Sequence, residues 1–217
     1  IEGGFLYIAQ PPLYKVARGK SEVYLKDQAE MDNYLIEQGI EGAVLRQGNG
    51  EEILGQDLRR IVDETRQLKR VLDAFPTHYP RHILEQAAIA GAFVPGVVDQ
   101  DLQGTADLVA KRLNLIALEY EQGWQGRITQ DHGIRLARIL RGVEEVRTLD
   151  GPMMRSGEAR KTGSFTKSLQ DVYELPATLV RKERNQAIYG PLDLLNAILQ
   201  EGEKGLSLQR YKGLGEM

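Results

Sequence analysis

The last nine residues, Gln209-Arg210-Tyr211-Lys212-Gly213-Leu214-Gly215-Glu216-Met217, have types and spacing suited to holding an anion. Alternation along an extended strand puts Arg210 and Lys212 on one side and Tyr211 on the other. Gly213 and Gly215 permit a close backbone approach with N–H groups exposed. A basic strand end that feeds a glycine turn and a helix start can cradle a phosphate. Taken alone, the string is better read as plain turn geometry, because it lacks the full spacing of a dinucleotide or nucleotide-phosphate loop.

Two further basic groups have polyanion chemistry open to them. Lys15, Arg18, Lys20 and Lys26 lie on and around a hairpin whose tip is Arg18-Gly19-Lys20-Ser21. They can contact phosphates, or they are solubilising charges on an edge hairpin, and both readings stand. From Arg155 to Arg184 seven basic residues (Arg155, Arg160, Lys161, Lys167, Arg181, Lys182, Arg184) face four acidic ones, a local excess in a chain of net charge −3. That stretch is either a solvated face or a surface for nucleic acid or a neighbouring domain.

Other chemistry is poorly supplied. His78, His82 and His132 have no carboxylates at ligand spacing, so no metal site is expected. Ser156, Ser164 and Ser168 sit in no nucleophile-elbow context. Asp99-Gln100-Asp101 reads as the capping region of a helix. Arg59, Arg60, Arg66, Lys69 and Arg70 alternate with Asp63, Glu64 and Asp73 as ordinary salt-bridged helix surface. With no cysteine, a disulfide scaffold and a thiolate nucleophile are excluded. No apolar run approaches the roughly 20 residues of a membrane helix.

The 217 residues, 41% hydrophobic and 27% charged, are enough for one substantial core or two modest ones. Phe5 to Ala9 reads as a buried strand, followed by a hairpin of Leu13 to Ala17 with Glu22 to Lys26. Asp27 is placed to cap a helix through Gln38, with Gly39 as its stop. Short strands at Gly42 to Arg46 and Glu51 to Leu54 flank Gly48-Asn49-Gly50. Apolar spacing predicts helices over Asp57 to Phe75, Arg81 to Ala90 and Asp101 to Gln122. Trp124 to Gln130, Ile134 to Leu140 and Val143 to Leu149 form an antiparallel meander. Asp150 to Phe165 is a loop or a short helix, and Thr166 to Glu174 is helical. Strands come next at Thr178 to Arg184 and Gln186 to Tyr189, then a helix from Pro191 to Glu201 and a strand from Leu206 to Tyr211. This order predicts an α+β fold of mixed helices and antiparallel strands.

The string from Gln209 to Met217 resembles the QRYKGLGEM signature of the gyrase B family of type IIA DNA topoisomerases. Tyr7-Ile8-Ala9-Gln10-Pro11-Pro12-Leu13-Tyr14-Lys15 resembles the YIAQPPLYK segment of the same family, and Glu22-Val23-Tyr24-Leu25-Lys26-Asp27 fits the strand and helix start that succeed that segment. The resemblance implies that 1–34 and 206–217 are partial TOPRIM flanks whose terminal strands complete one sheet. It also implies that 35–205 is a large insert of the Gram-negative type. Phe5 to Ala9 and Leu206 to Arg210 are then expected to be neighbours in that sheet. An opening without methionine and an ending in a glycine loop lead us to expect a piece of a longer chain.

The family's acidic motifs, an EGDSA-type glutamate and a DxD pair with its following Gly and His, do not occur here, and no catalytic residue is carried over. The implied parent is a cytoplasmic, ATP-dependent, Mg2+-using enzyme that introduces negative supercoils. In the family it works as an A2B2 heterotetramer on duplex DNA, with gyrase A and the rest of gyrase B as partners. The phosphate-contact candidates are Lys15, Arg18, Lys20, Lys26, Arg181, Lys182, Arg184, Arg210 and Lys212. The alternative is a scaffold or regulator-docking domain that touches protein alone.

Overall fold

The computed structural model describes residues 12–182 and 184–211. Along the chain run β1 (Tyr14–Arg18), β2 (Ser21–Leu25), α1 (Gln28–Ile40), β3 (Val44–Arg46), β4 (Glu52–Leu54), α2 (Gly55–Asp73), α3 (Arg81–Ile89), α4 (Val97–Gln100) and α5 (Leu102–Ile116). After a 3-10 turn at Glu119–Glu121 come β5 (Gln125–Ile128), β6 (Ile134–Leu140), β7 (Val143–Leu149), α6 (Gly151–Met154), α7 (Gly157–Gly163) and α8 (Thr166–Tyr173). Last among the described residues come β8 (Ala177–Arg181), β9 (Arg184–Ile188), α9 (Pro191–Glu203) and β10 (Ser207–Arg210). Helices and three antiparallel sheets make this an α+β fold. It divides into two compact units, one of residues 1–41 with 196–217 and one of residues 42–195.

In the first unit β1 lies between β2 and β10. Tyr14 pairs with both Leu25 and Arg210, and Val16 with both Val23 and Leu208. The expected partner strand, Phe5 to Ala9, lies outside the described residues, and β1 is the strand that meets the closing one. Tyr14, Val16 and Leu25 on one face form a core with Met31 and Leu35 of α1, supplemented by Leu199 of α9. Asp27 caps α1 by accepting from Glu30 N at 2.9 Å, while Glu30 reaches back to Lys26 N at 2.8 Å. Gly39 does not stop this helix, which runs on to Ile40. Its role is close packing: a Cβ there would stand 2.0 Å from the carbonyl oxygen of Ile198, and one on Gly202 would stand 2.1 Å from that of Leu35. The two glycines let the backbones of α1 and α9 touch.

In the second unit the apolar stripe of α2 is buried at Leu58, Val62, Leu68 and Leu72. It ends where Arg81, the first residue of α3, donates to the carbonyl of Phe75 at 2.8 Å and to those of Asp73, Pro76 and Tyr79. One guanidinium thus serves the last carbonyl of α2 and the carbonyls of the connection to α3. Asp101 caps α5 through Gly104 N at 2.9 Å. That helix stops at Ile116, short of Gln122, because Asn114 captures the backbone amides of Gly123 and Trp124 at 2.9 and 2.8 Å and turns the chain back as β5. Asp150 and Ser156 cap α6 and α7, so the stretch left open between loop and helix is helical.

The meander β5–β6–β7 forms as expected. The remaining sheet has the order β4-β3-β8-β9, in which β3 pairs with β8 from far along the chain.

Candidate nucleic-acid interface

The first unit carries Lys15, Arg18, Lys20, Lys26 and Arg210, and the antiparallel ladder fixes where each one points. Lys15 stands on the sheet face away from the core, opposite Tyr24. Its Nζ is 2.8 Å from Glu22 Oε2 and 5.7 Å from the centre of the Tyr24 ring. The hydrogen bond with Glu22 raises its pKa. Arg18 folds inward, donating to Gln38 Oε1 at 3.1 Å and to the Gly202 carbonyl. Lys20 is exposed on the two-residue turn between β1 and β2. Lys26 is mostly exposed and lies 3.7 Å from Glu30. Arg210 sits opposite Tyr14 across the ladder, exposed, so β10 presents it on the other face from Lys15. Lys212 lies outside the described residues.

The second unit holds Arg181, Lys182 and Arg184 on the β8–β9 hairpin. Arg181 and Arg184 pair directly across it, an arrangement of like charges that costs stability unless other groups compensate. Both residues are engaged in further interactions. Lys182 occupies the turn with φ +49°, in the left-handed region, and is exposed. The hairpin is thus a basic tip at the end of an edge strand whose Arg184, Asn185, Gln186 and Ala187 are exposed.

A family model described as "GyrB, hook" matches residues 12–39, which cover β1, β2 and nearly all of α1. The DNA gyrase B subunit of Caulobacter vibrioides is 41% identical over 217 residues, which cover 100% of this chain and 26% of that protein. The DNA gyrase B subunit of Rickettsia bellii is 31% identical over the whole chain, covering 27% of its own length. The type 2 topoisomerase B subunit of Aquifex aeolicus is 24% identical, again along 100% of this chain and 26% of its own. Along its whole length the chain is similar to one segment of gyrase B subunits. It spans about a quarter of the length of the curated relatives it matches. The likeness runs through the long stretch between the two terminal motifs as well as through the motifs themselves.

One titratable network in the second unit is invisible to motif reading. Glu85 and Gln86 of α3 are buried among Ile83, Leu84, Ala87 and Ala88. Glu85 Oε1 accepts from Leu192 N, at the start of α9, at 2.6 Å. Arg112 of α5 donates through Nε to Gln86 Oε1 at 2.8 Å, and through its terminal nitrogens to the carbonyls of Glu174 and Tyr189, both at 3.2 Å. Burial pushes the Glu85 carboxyl up to about 7, against the opposing hydrogen bond from Leu192, and burial also lowers the Arg112 pKa. The signal available in the sequence was a Glu-Gln pair inside an otherwise apolar helix. A second such point is Asp150, which caps α6 and accepts from the Tyr79 hydroxyl. Burial and that hydrogen bond raise the Tyr79 pKa to about 12.

Among the described residues no three His, Cys, Asp or Glu side chains gather as a metal donor set. No helix there is long and apolar enough to cross a membrane.

Proposed function

We propose that this segment is a non-catalytic accessory element of a gyrase-type DNA topoisomerase, extending the enzyme's DNA-contacting surface and coupling its parts during ATP-driven negative supercoiling. The observation that carries the reading is the β1–β10 ladder, which brings the two matched ends of the chain together and sets Arg210 beside the basic hairpin. On this reading the excursion between the ends leaves and returns at one place in a sheet of the larger protein, the TOPRIM sheet of the family. Cytoplasmic location, an A2B2 partnership with gyrase A, ATP and Mg2+ all belong to the parent enzyme in this proposal. No step is assigned to metal or nucleotide on these residues.

Lys20, Lys26, Lys182, Arg184 and Arg210 are the exposed cations that would meet phosphates, with half-buried Arg181 beside them at the end of β8. A second reading, a scaffold that touches protein alone, draws on the commitment of Arg18 to Gly202 and of Lys15 to Glu22. It also draws on the net charge of −3. Titration of duplex DNA into the chain at low and moderate salt separates the two. Salt-sensitive association weakened by charge reversal at Arg181, Lys182 and Arg184 supports DNA contact, and absence of association at low salt sinks it.

A further inference from the structure

The β6–β7 hairpin continues past the end of its neighbour. β5 pairs only with Ile134–Ala137, so Arg138–Leu140 and Val143–Glu145 form a two-stranded ribbon. At its end Ile139 is 72% exposed and Val143 68%, the two most exposed large apolar side chains among the described residues. Ile139 pairs with Glu144, and Leu140 with Val143, so the two aliphatic groups stand on opposite faces of the ribbon. Between them the turn is Arg141-Gly142, with φ +51° and +79°.

Two features of this tip are not explained by folding. A turn with positive φ at both central residues is served best by Asn-Gly, and a β-substituted, long side chain such as arginine is strained there. Exposed aliphatic side chains on both faces of a solvated ribbon end gain nothing from burial. Meanwhile the stem beneath is held firmly. Arg138 donates to Glu145 at 2.7 Å and to the Glu121 carbonyl, and its guanidinium lies 4.6 Å from the centre of the buried Trp124 ring. Arg147 also pairs with Glu145, at 2.8 Å, and Arg135 pairs with Glu144 at 2.7 Å. Both carboxylates of the ribbon are therefore neutralised within the stem. The charge offered at the tip is the exposed guanidinium of Arg141.

From this geometry we infer that the β6–β7 ribbon is a groove probe for duplex DNA, with Arg141 against the phosphate backbone and Ile139 and Val143 against sugar and base edges. A two-stranded ribbon fits a DNA groove, and aliphatic side chains beside a cation are a recurrent means of engaging one. A negatively charged surface is the occupant that complements a tip whose own carboxylates are already compensated. The inference rests on the DNA-contacting reading above and adds a site outside the candidate residues of that reading.

The test uses the 217-residue chain and a short fluorescent duplex, with binding followed across a salt series. R141E should weaken binding about tenfold and lower the salt slope by about one. I139S/V143S should weaken it about tenfold with the slope unchanged, since no charge is lost. R141N relieves the turn and should raise Tm while still weakening binding, a combination that a merely structural arginine would not give. If the parent chain binds and all three variants bind equally well, the ribbon faces a protein instead and the groove proposal is overturned, leaving the Arg181-Lys182-Arg184 contact intact. If the parent chain does not bind at low salt, the broader DNA-contact reading falls and this one with it.

Discussion

The guanidinium of Arg18 donates to the carbonyl oxygen of Gly202, 184 residues further along the chain. Read from sequence, Arg18 was a candidate phosphate contact at a hairpin tip. In the fold it serves the last turn of α9, where orphan carbonyls favour a cation, and it also holds the Gln38 side chain of α1. Arg18→Gln should lower stability by about 1–3 kcal/mol, since a charge-assisted bond is lost at a partly buried site. Lys20→Gln on the neighbouring exposed turn should leave stability within about 0.5 kcal/mol. Urea melts of the two variants check the contrast, and equal stabilities would mean Arg18 is not a strut.

Contact between α1 and α9 depends on the absence of two side chains. A Cβ on Gly202 would lie 2.1 Å from the Leu35 carbonyl oxygen, and one on Gly39 2.0 Å from that of Ile198. Each neighbour is backbone, which yields little. Gly202→Ala and Gly39→Ala should each destabilise by about 1–3 kcal/mol or more, although alanine is the better intrinsic helix former. Thermal melts decide: a rise in Tm for either variant would show that the helices can part without loss.

Glu85 makes stability depend on pH in a direction opposite to an ordinary paired carboxylate. Burial raises its pKa from 4.5 to about 7 in the folded chain. Between those values the folded state holds a proton that the unfolded state has released. Stability therefore falls as pH rises through that window, by an amount on the order of 3 kcal/mol. Arg112, Asp193 and Gln86 are the side chains that act on this carboxyl. Glu85→Gln keeps an oxygen for Leu192 N and should flatten the slope between about pH 5 and about pH 7.5 in denaturant melts. An unchanged slope would show that Glu85 does not titrate there.

The open edge of β5 is closed by side chains of α5. Gln103 donates to the Gly126 carbonyl at 3.1 Å and accepts from Ile128 N at 3.3 Å, while Asn114 donates to the Trp124 carbonyl at 3.0 Å. Gly126 allows this approach, because a Cβ there would stand 2.1 Å from the Ala106 carbonyl oxygen. An unprotected edge strand is a template for aggregation. Asn114→Ala removes its bonds to Gly123 and Trp124 and should cost about 2–3 kcal/mol, with Gln103→Ala costing about 1 kcal/mol. Amide hydrogen exchange at Gly126 and Ile128 should quicken in the Gln103 variant and not in a control at exposed Leu108.

Much of this chain is set by interactions within a few residues, and those parts could be read directly. The caps Asp27 and Asp101, the apolar stripe of α2, the Gly19-Lys20 turn and the alternation of the meander all express local rules of spacing and hydrogen bonding. So do the terminal strings that match the gyrase B family. Tertiary structure decided what those rules leave open. Nothing in Val44–Arg46 specifies that it will pair with Ala177–Arg181, and nothing in a basic hairpin separates Arg18, which turns inward, from Lys20, which does not. The burial of Glu85 beside Arg112 and the reassignment of Gly39 from stop to contact are likewise products of distant backbone arriving there. The reason is physical: periodicity fixes which face of an element is apolar, whereas the identity of the surface that covers it depends on the packing of the whole chain.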